Sequence, residues 1–144
     1  MNRYVLVPIV YQVPYQTVLQ VLDTEESMPV TPPDGVSGMW VDATGNTTVQ
    51  VGWKAQLYFD SGWVFTELTY EENLSMATAY MRLRFDSAAR WLMFNPLQYK
   101  VDLGLATASD EALLIAYKQY CVTVSEVINQ PGYPSTIIWP VAPF

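Results

Sequence analysis

The hydrophobic period of this chain changes near its middle, and that change constrains the fold more than any other feature. Up to about Thr69 the apolar residues come in short runs, and residues 48–53 alternate with period two, as in half-buried strands. Beyond Thr69 the apolar residues step by 3, 4, 4, 3 and 4, which is one face of an α-helix: Leu74, Ala77, Met81, Phe85, Ala88 and Leu92. We therefore predict an α+β protein. A small β-rich module spans residues 1–68, and a helical hairpin with a docked, extended, proline-rich tail spans residues 69–144.

The β-rich half contains several short strand candidates separated by turns. Residues 4–11, 16–22, 39–42 and 48–53 have strand character, and Pro8 confines the first run to a sheet edge or splits it. Residues 57–59 and 63–65 predict a hairpin around Asp60-Ser61-Gly62. The proline- and acid-rich residues 24–38 predict a long loop, and residues 43–47 predict a turn.

The helical half carries explicit start and stop signals. Thr69 with Glu72, and Thr107 with Asp110, have the spacing of helix N-caps followed by a first-turn acid. Asn95-Pro96 ends the first helix or restarts it, and Gly104 closes a short turn of helix. Because ordering the backbone of a long helix costs more free energy than its own side chains return, we expect the two long helices to pack together.

Composition limits the classes of partner. The formal net charge is −7, and the seven basic residues are scattered, so we expect neither nucleic acid nor an anionic membrane as partner. No run of 18 apolar residues is present, and we predict neither a transmembrane helix nor a secretory signal. Hydrophobic residues reach 51% and charged residues only 15%. This excess of apolar residues favours an exposed apolar surface that binds a partner. The alternative is that the apolar residues fill the core and the surface has few polar side chains.

The residues that usually carry chemistry are scarce. Without histidine, the common nucleophile–base pairs and most zinc sites are excluded. Cys121 lies within the helical pattern and is interpreted as a structural thiol. Glu25, Glu26 and Asp34 form either a weak cation site or, as we favour, a solvated loop. We predict no catalytic residue, no metal and no cofactor, although a hydrolase with paired carboxylates stays open because separation in space is invisible in a sequence.

Aromatic residues are the best candidates for a binding surface. We select Trp53, Tyr58, Trp63 and Phe65, which surround the predicted hairpin. The alternative is that these rings, like Trp40, fill the core of a small sheet.

The C-terminal part of the chain contains an ordered series of short motifs: Pro96-Leu97-Gln98, Asp102-Leu103-Gly104, Ala106-Thr107, Asp110-Glu111, Tyr117-Lys118-Gln119-Tyr120 and Trp139-Pro140. Together with the aromatic segment 51–65, the series extends over about residues 51–143. In its order and spacing it resembles the tail fibre assembly proteins of phages. Two positions depart from the family pattern: Cys121 replaces a common arginine, and Tyr117 replaces a common tryptophan.

The resemblance implies a non-enzymatic chaperone of virion assembly. Its partner would be the distal C-terminal region of a phage tail fibre, which it helps to fold and trimerise, either as a homo-oligomer or with one copy per fibre chain. The implied location is the cytoplasm of the bacterial host during assembly, with retention on the virion fibre as the other outcome. The rival hypothesis is a structural or adhesin component at the fibre tip that contacts host surface glycans through its aromatic rings.

Overall fold

Two antiparallel three-stranded sheets and three α-helices make up the computed structural model, which describes all 144 residues. The predicted α+β class is confirmed. The chain forms two compact units, residues 1–76 and residues 77–144, which are described separately. The module boundary expected between residues 68 and 69 stays a prediction.

The first unit contains both sheets. Their strand orders are β3-β1-β4 and β2-β5-β6, and every pair is antiparallel. The strands are β1 (Asn2–Pro8), β2 (Gln16–Thr17), β3 (Gln20–Thr24), β4 (Gly38–Asp42), β5 (Lys54–Tyr58) and β6 (Gly62–Thr66).

Strand β1 is buried on both faces, because its alternate residues enter two different clusters. Val5 and Val7 belong to the main core, to which residues of both sheets contribute. Tyr4 and Leu6 point the other way and cluster with Trp40. The long loop, predicted over residues 24–38 and observed over residues 25–37, covers this second cluster. The Trp40 indole Nε1 donates a hydrogen bond to the Thr31 carbonyl at 3.1 Å, and the Tyr4 hydroxyl donates one to the Glu26 carbonyl at 3.3 Å.

Of the two expectations for Pro8, the edge position was wrong, whereas the run 4–11 is indeed interrupted there, since β1 ends at Pro8. Strand β1 is the central strand of its sheet, with β3 on one side and β4 on the other. Pro8 is its last residue, opposite Gly38, so the missing N–H interrupts no interior part of the ladder.

Residues 16–22 form two strands rather than the predicted one. Strand β2 joins one sheet and β3 the other. The chain crosses between them where the Val18 N–H donates to the Trp53 carbonyl and the Leu19 N–H donates to the Leu6 carbonyl, both at 2.8 Å.

The strand predicted over residues 48–53 is also wrong, and local hydrogen bonds explain why. The Asn46 side-chain oxygen accepts from the backbone N–H groups of Thr48 and Val49, both at 3.1 Å, which removes these donors from any ladder. Gly52 then has φ +88°, so regular pairing starts only at Lys54. The predicted hairpin, the strand at 39–42 and the turn at Gly45 are confirmed.

The helices begin where the sequence signals lie, and the first two also end there. Helix α1 (Tyr70–Phe94) follows Thr69, whose hydroxyl accepts the Glu72 N–H at 3.1 Å. Helix α2 (Leu97–Asp102) follows Pro96 and is closed by Gly104. Helix α3 (Ala108–Ser125) starts at a complete capping box and continues into a 3₁₀ turn, Glu126–Asn129. None of these helices combines the length and hydropathy needed to cross a bilayer.

Rings from α1, α3 and the tail share the core of the second unit. Ala88, Tyr120 and Val124 are buried at its centre. The tail has no helix or strand after the turn at residues 131–135, and Trp139 and Phe144 pack against this cluster.

Candidate partner-binding surfaces

The β5–β6 hairpin ends in exposed apolar side chains. Phe59 is completely exposed in the connecting turn, and its neighbours Leu57 and Tyr58 are 62% and 43% exposed. Val64 on β6 is also exposed. Leu57, Tyr58, Phe59 and Val64 are called the hairpin tip below. The tip is exposed because the hairpin extends beyond the core that buries its other end, where Ala55 pairs with Phe65.

The strand register separates the four residues selected from the sequence. Phe65 lies in the main core and is 8% exposed, and the half-buried Trp63 stacks on it with ring centroids 6.5 Å apart. Trp53, immediately before β5, is half-buried against the same core. Tyr58 alternates to the opposite face and is exposed, with its hydroxyl donating to the Gln56 amide oxygen at 2.8 Å. That these four residues bind a partner stays a prediction.

Sequence reasoning missed Leu57, Phe59 and Val64. A signal existed for Phe59, which directly precedes the predicted turn Asp60-Ser61-Gly62. In the structure Tyr58 and Gly62 are the last pair of the hairpin, so Phe59 lies in the loop between them. A ring in so short a loop has no neighbouring strand to cover it. Leu57 and Val64 gave no such signal, because alternation alone does not show where along a hairpin the core ends.

A groove lies beside β5 where β2 stops. Strand β2 pairs only with Lys54 and Ala55, so the edge of β5 over residues 56–58 has no neighbouring strand on that side. The groove has a volume of about 350 Å³. Its apolar lining comes from Pro14, Tyr15, Ala55, Leu57 and Trp63.

A second exposed apolar surface occupies the end of α1 and the segment that follows. Helix α1 ends at Phe94, where the Asn95 side chain donates to the Trp91 carbonyl at 3.0 Å and Pro96 prevents continuation. The rings and aliphatic chains at this bend face solvent, each about 70% exposed or more. We call this set the helix corner; it comprises Met93, Phe94, Tyr99, Leu103 and Leu105. A mainly apolar groove of about 490 Å³ adjoins it, lined by Ala89, Leu92, Met93, Pro96, Gln98, Tyr99 and Tyr117.

All of the net charge resides in the first unit. Residues 1–76 contain nine acidic and two basic side chains, a net charge of −7, whereas residues 77–144 contain five of each. Both bases of the first unit are engaged, Arg3 with Asp23 at 2.7 Å and Lys54 with Glu72. The hydrogen bond from Arg3 lowers the pKa of Asp23, and the one from Lys54 lowers the pKa of Glu72. The first unit therefore presents an acidic surface in which no basic side chain is free.

The second unit holds one cation over an aromatic ring. The Arg84 guanidinium lies 4.0 Å from the centroid of Trp139, and burial lowers its pKa. Cys121 is partly buried beside Tyr117, whose pKa is raised by burial and, to a smaller extent, by the thiol.

No three His, Cys, Asp or Glu side chains converge as a metal site would require, and no polar or charged residue is fully buried. What these surfaces offer is apolar contact and backbone hydrogen bonding.

These features define a two-unit α+β protein with apolar surfaces suited to another polypeptide. Residues 92–144 match the family model described as Caudovirales tail fibre assembly protein, lambda gpK. The match confirms the family resemblance over α2, α3, the tail and the helix corner, and it supports a role in tail fibre assembly. The hairpin and the aromatic segment 51–65 lie outside the matched residues. No curated protein and no solved structure matches the chain.

Proposed function

We propose that this protein is an assembly chaperone that binds the distal C-terminal region of a phage tail fibre and promotes its folding and trimerisation. The family match over residues 92–144 is the observation that carries the proposal. No bond is made or broken in this role. The protein acts in the bacterial cytoplasm while the virion is assembled.

The physical need for such a protein follows from how fibres fold. A trimeric β-rich fibre tip depends on pairing between distant segments, so it folds slowly and exposes strand edges meanwhile. A protein that covers apolar side chains and edges during this period prevents wrong association. The hairpin tip and the helix corner are the exposed apolar surfaces available for that contact.

We assign the first contact to the hairpin. Tyr58 contacts the fibre directly, together with Phe59 at the turn. Trp63 contributes its exposed part, while Trp53 and Phe65 hold the hairpin on the core. The helix corner supplies a second contact, because it lies within the residues that match the family model.

Co-expression with the fibre protein of the same phage tests the proposal. We expect soluble, trimeric fibre only when this protein is present, and a complex that survives gel filtration. Equal yields of soluble trimer with and without it would refute the chaperone role. If the protein is found on purified particles and binds saccharides on an array, while having no effect on fibre folding, the adhesin hypothesis replaces the proposal.

A further inference from the structure

Strand β6 has a free edge along its whole length. It pairs only with β5, through all five of its residues, and no other backbone hydrogen bond involves residues 62–66. Every second residue of an edge strand directs its N–H and C=O groups outward, so β6 offers two or three such residues to an incoming strand. An open groove of about 630 Å³ adjoins the end of β6 and is lined by Thr47, Thr48, Gln50, Trp53, Phe65, Thr66 and Glu67.

The other free sheet edges differ from β6 in length or charge. Strand β2 has only two residues, the part of β5 that β2 leaves unpaired has three, and β3 and β4 each contain an aspartate. Charged side chains and short strands are the usual means by which proteins prevent edge-to-edge pairing. The sequence of β6, Gly-Trp-Val-Phe-Thr, has neither a charge nor a proline and is rich in strand-forming residues. Among these edges it is the one with a full five-residue length and no charge, and it is therefore the one suited to accept another strand.

Two acids without a basic partner bracket this edge. Asp60 lies two residues before β6 and Glu67 directly after it. Neither forms an ion pair, and both basic side chains of the first unit are engaged elsewhere. Asp60 lies in the turn that precedes β6, so the two acids flank the two ends of a five-residue strand, which is about 16 Å long.

We propose that β6 binds an extended segment of the fibre chain as an added strand. The segment has about five uncharged, β-branched or aromatic residues, with lysine or arginine just beyond both ends. The backbone of β6 supplies the pairing, and Asp60 and Glu67 select the flanking cations. This inference rests on the proposed function, because it names the segment that the chaperone holds.

A second copy of this chain is the other candidate occupant, and the charges disfavour it. Antiparallel pairing of two β6 edges about a two-fold axis brings Asp60 of each copy near Glu67 of the other. Like charges opposed across a strand pair are destabilising. The same acids that attract a basic segment therefore oppose self-pairing.

Hydrogen exchange of the co-expressed complex with the fibre tests the site. We expect the peptide covering residues 62–66 to exchange at least ten-fold more slowly in the complex, with little change along the edge of β3. Unchanged exchange in an intact complex would overturn the inference while the chaperone role stands. Absence of any complex would instead refute the proposed function, and the inference with it. Concentration-dependent protection of β6 in the protein alone would identify a second copy as the occupant and overturn the inference.

Two charge-reversed variants with the same change in net charge test the flanking cations. Asp60→Lys with Glu67→Lys should weaken the complex about ten-fold at 0.05 M salt and less at 0.5 M, since exposed charges are screened. Glu26→Lys with Asp34→Lys, in the long loop, should change affinity less than about two-fold. Equal weakening by both variants would show that only net charge matters and would overturn the assignment of basic flanks.

Discussion

The ring of Phe144 stacks on the ring of Trp91, with centroids 4.8 Å apart and an angle of 18° between the planes. Phe144 also meets Tyr120 edge-on at 5.6 Å and lies 5.9 Å from Tyr117. Trp91 belongs to α1 and both tyrosines to α3. One side chain of the tail thus joins the two long helices of the second unit.

Removal of this ring should weaken the second unit. Phe144→Ala should lower the free energy of unfolding by about 2–3 kcal/mol, since it deletes a packed ring with three aromatic neighbours. Urea denaturation followed by tryptophan fluorescence measures the change. Val141→Ala, at a residue that is 92% exposed, is the matched control and should change stability by less than about 0.5 kcal/mol. Equal stability of the two variants would show that the tail does not stabilise the unit.

The capping box of α3 makes a separate contribution. The Thr107 hydroxyl accepts the Asp110 N–H at 3.1 Å, and the Asp110 carboxylate accepts the Thr107 N–H at 3.0 Å. Thr107→Ala should cost about 1 kcal/mol of stability, measured by urea denaturation. Ser109→Ala, two positions away on the exposed surface, should be nearly neutral. A neutral Thr107→Ala would contradict the assignment of the cap.

Acid should destabilise the protein through four carboxylates. The pKa of Asp110 is lowered by the Thr107 backbone N–H, that of Asp23 by Arg3, that of Glu72 by Lys54 and that of Asp42 by the Thr44 hydroxyl. Because each pKa is lower in the folded than in the unfolded state, this stabilisation is complete above about pH 4–5 and is lost as the pH falls through the folded-state values. Urea midpoints measured between pH 7 and pH 3 should therefore decrease.

Asp110→Asn tests the contribution of one group to that decrease. The variant should lose stability at pH 7 and depend less on pH below 5, because its side chain does not titrate. A variant with the wild-type dependence on pH would show that Asp110 does not contribute.

Gly38 should not tolerate a side chain. A Cβ at this position would lie 2.6 Å from the Val7 carbonyl oxygen, within the β1–β4 pairing. We expect Gly38→Ala to destabilise the first unit by about 2 kcal/mol or more, because backbone must shift to relieve the clash. Gly35→Ala is a useful comparison. A Cβ at Gly35 would have no atom within 4 Å, so this variant carries only the backbone penalty for φ +79°. Thermal denaturation should rank Gly38→Ala as the less stable variant, and the opposite order would contradict the close approach.

Substitutions in the hairpin should separate binding from folding. Tyr58→Ala and Phe59→Ser should weaken the fibre complex while stability stays within about 0.5 kcal/mol, because both side chains are exposed. Phe65→Ala should instead cost about 3–5 kcal/mol, because its ring lies in the core. Pull-down from co-expressing cells, with unfolding curves for each purified variant, measures both effects. Unfolding of Tyr58→Ala or Phe59→Ser would place these rings in the core and contradict the binding assignment.

Local signals predicted the helical half well. Helix caps and helix breaks depend only on residues a few positions away. Both ends of α1 and the start of α3 could therefore be predicted from Thr69, Asn95-Pro96 and Thr107. The hairpin was predictable for the same reason, because its turn residues and alternation are local. The strand predicted over residues 48–53 did not form because the Asn46 side chain accepts hydrogen bonds from backbone N–H groups that a strand would use for pairing. Apolar periodicity does not reveal such a local hydrogen bond.

The sequence by itself determined the α+β class, both ends of α1, the start of α3 and the scarcity of catalytic side chains, because each depends on residue type or near neighbours. Only the tertiary structure decided that β1 is central, that the loop at 25–37 covers Trp40, and that Phe65 is buried while Tyr58 and Phe59 are exposed. It also decided that β6 lies at an edge with Asp60 and Glu67 at its two ends. Burial and edge position depend on which distant segments pair. A local pattern of residues does not show which distant segment its side chains and backbone groups will contact.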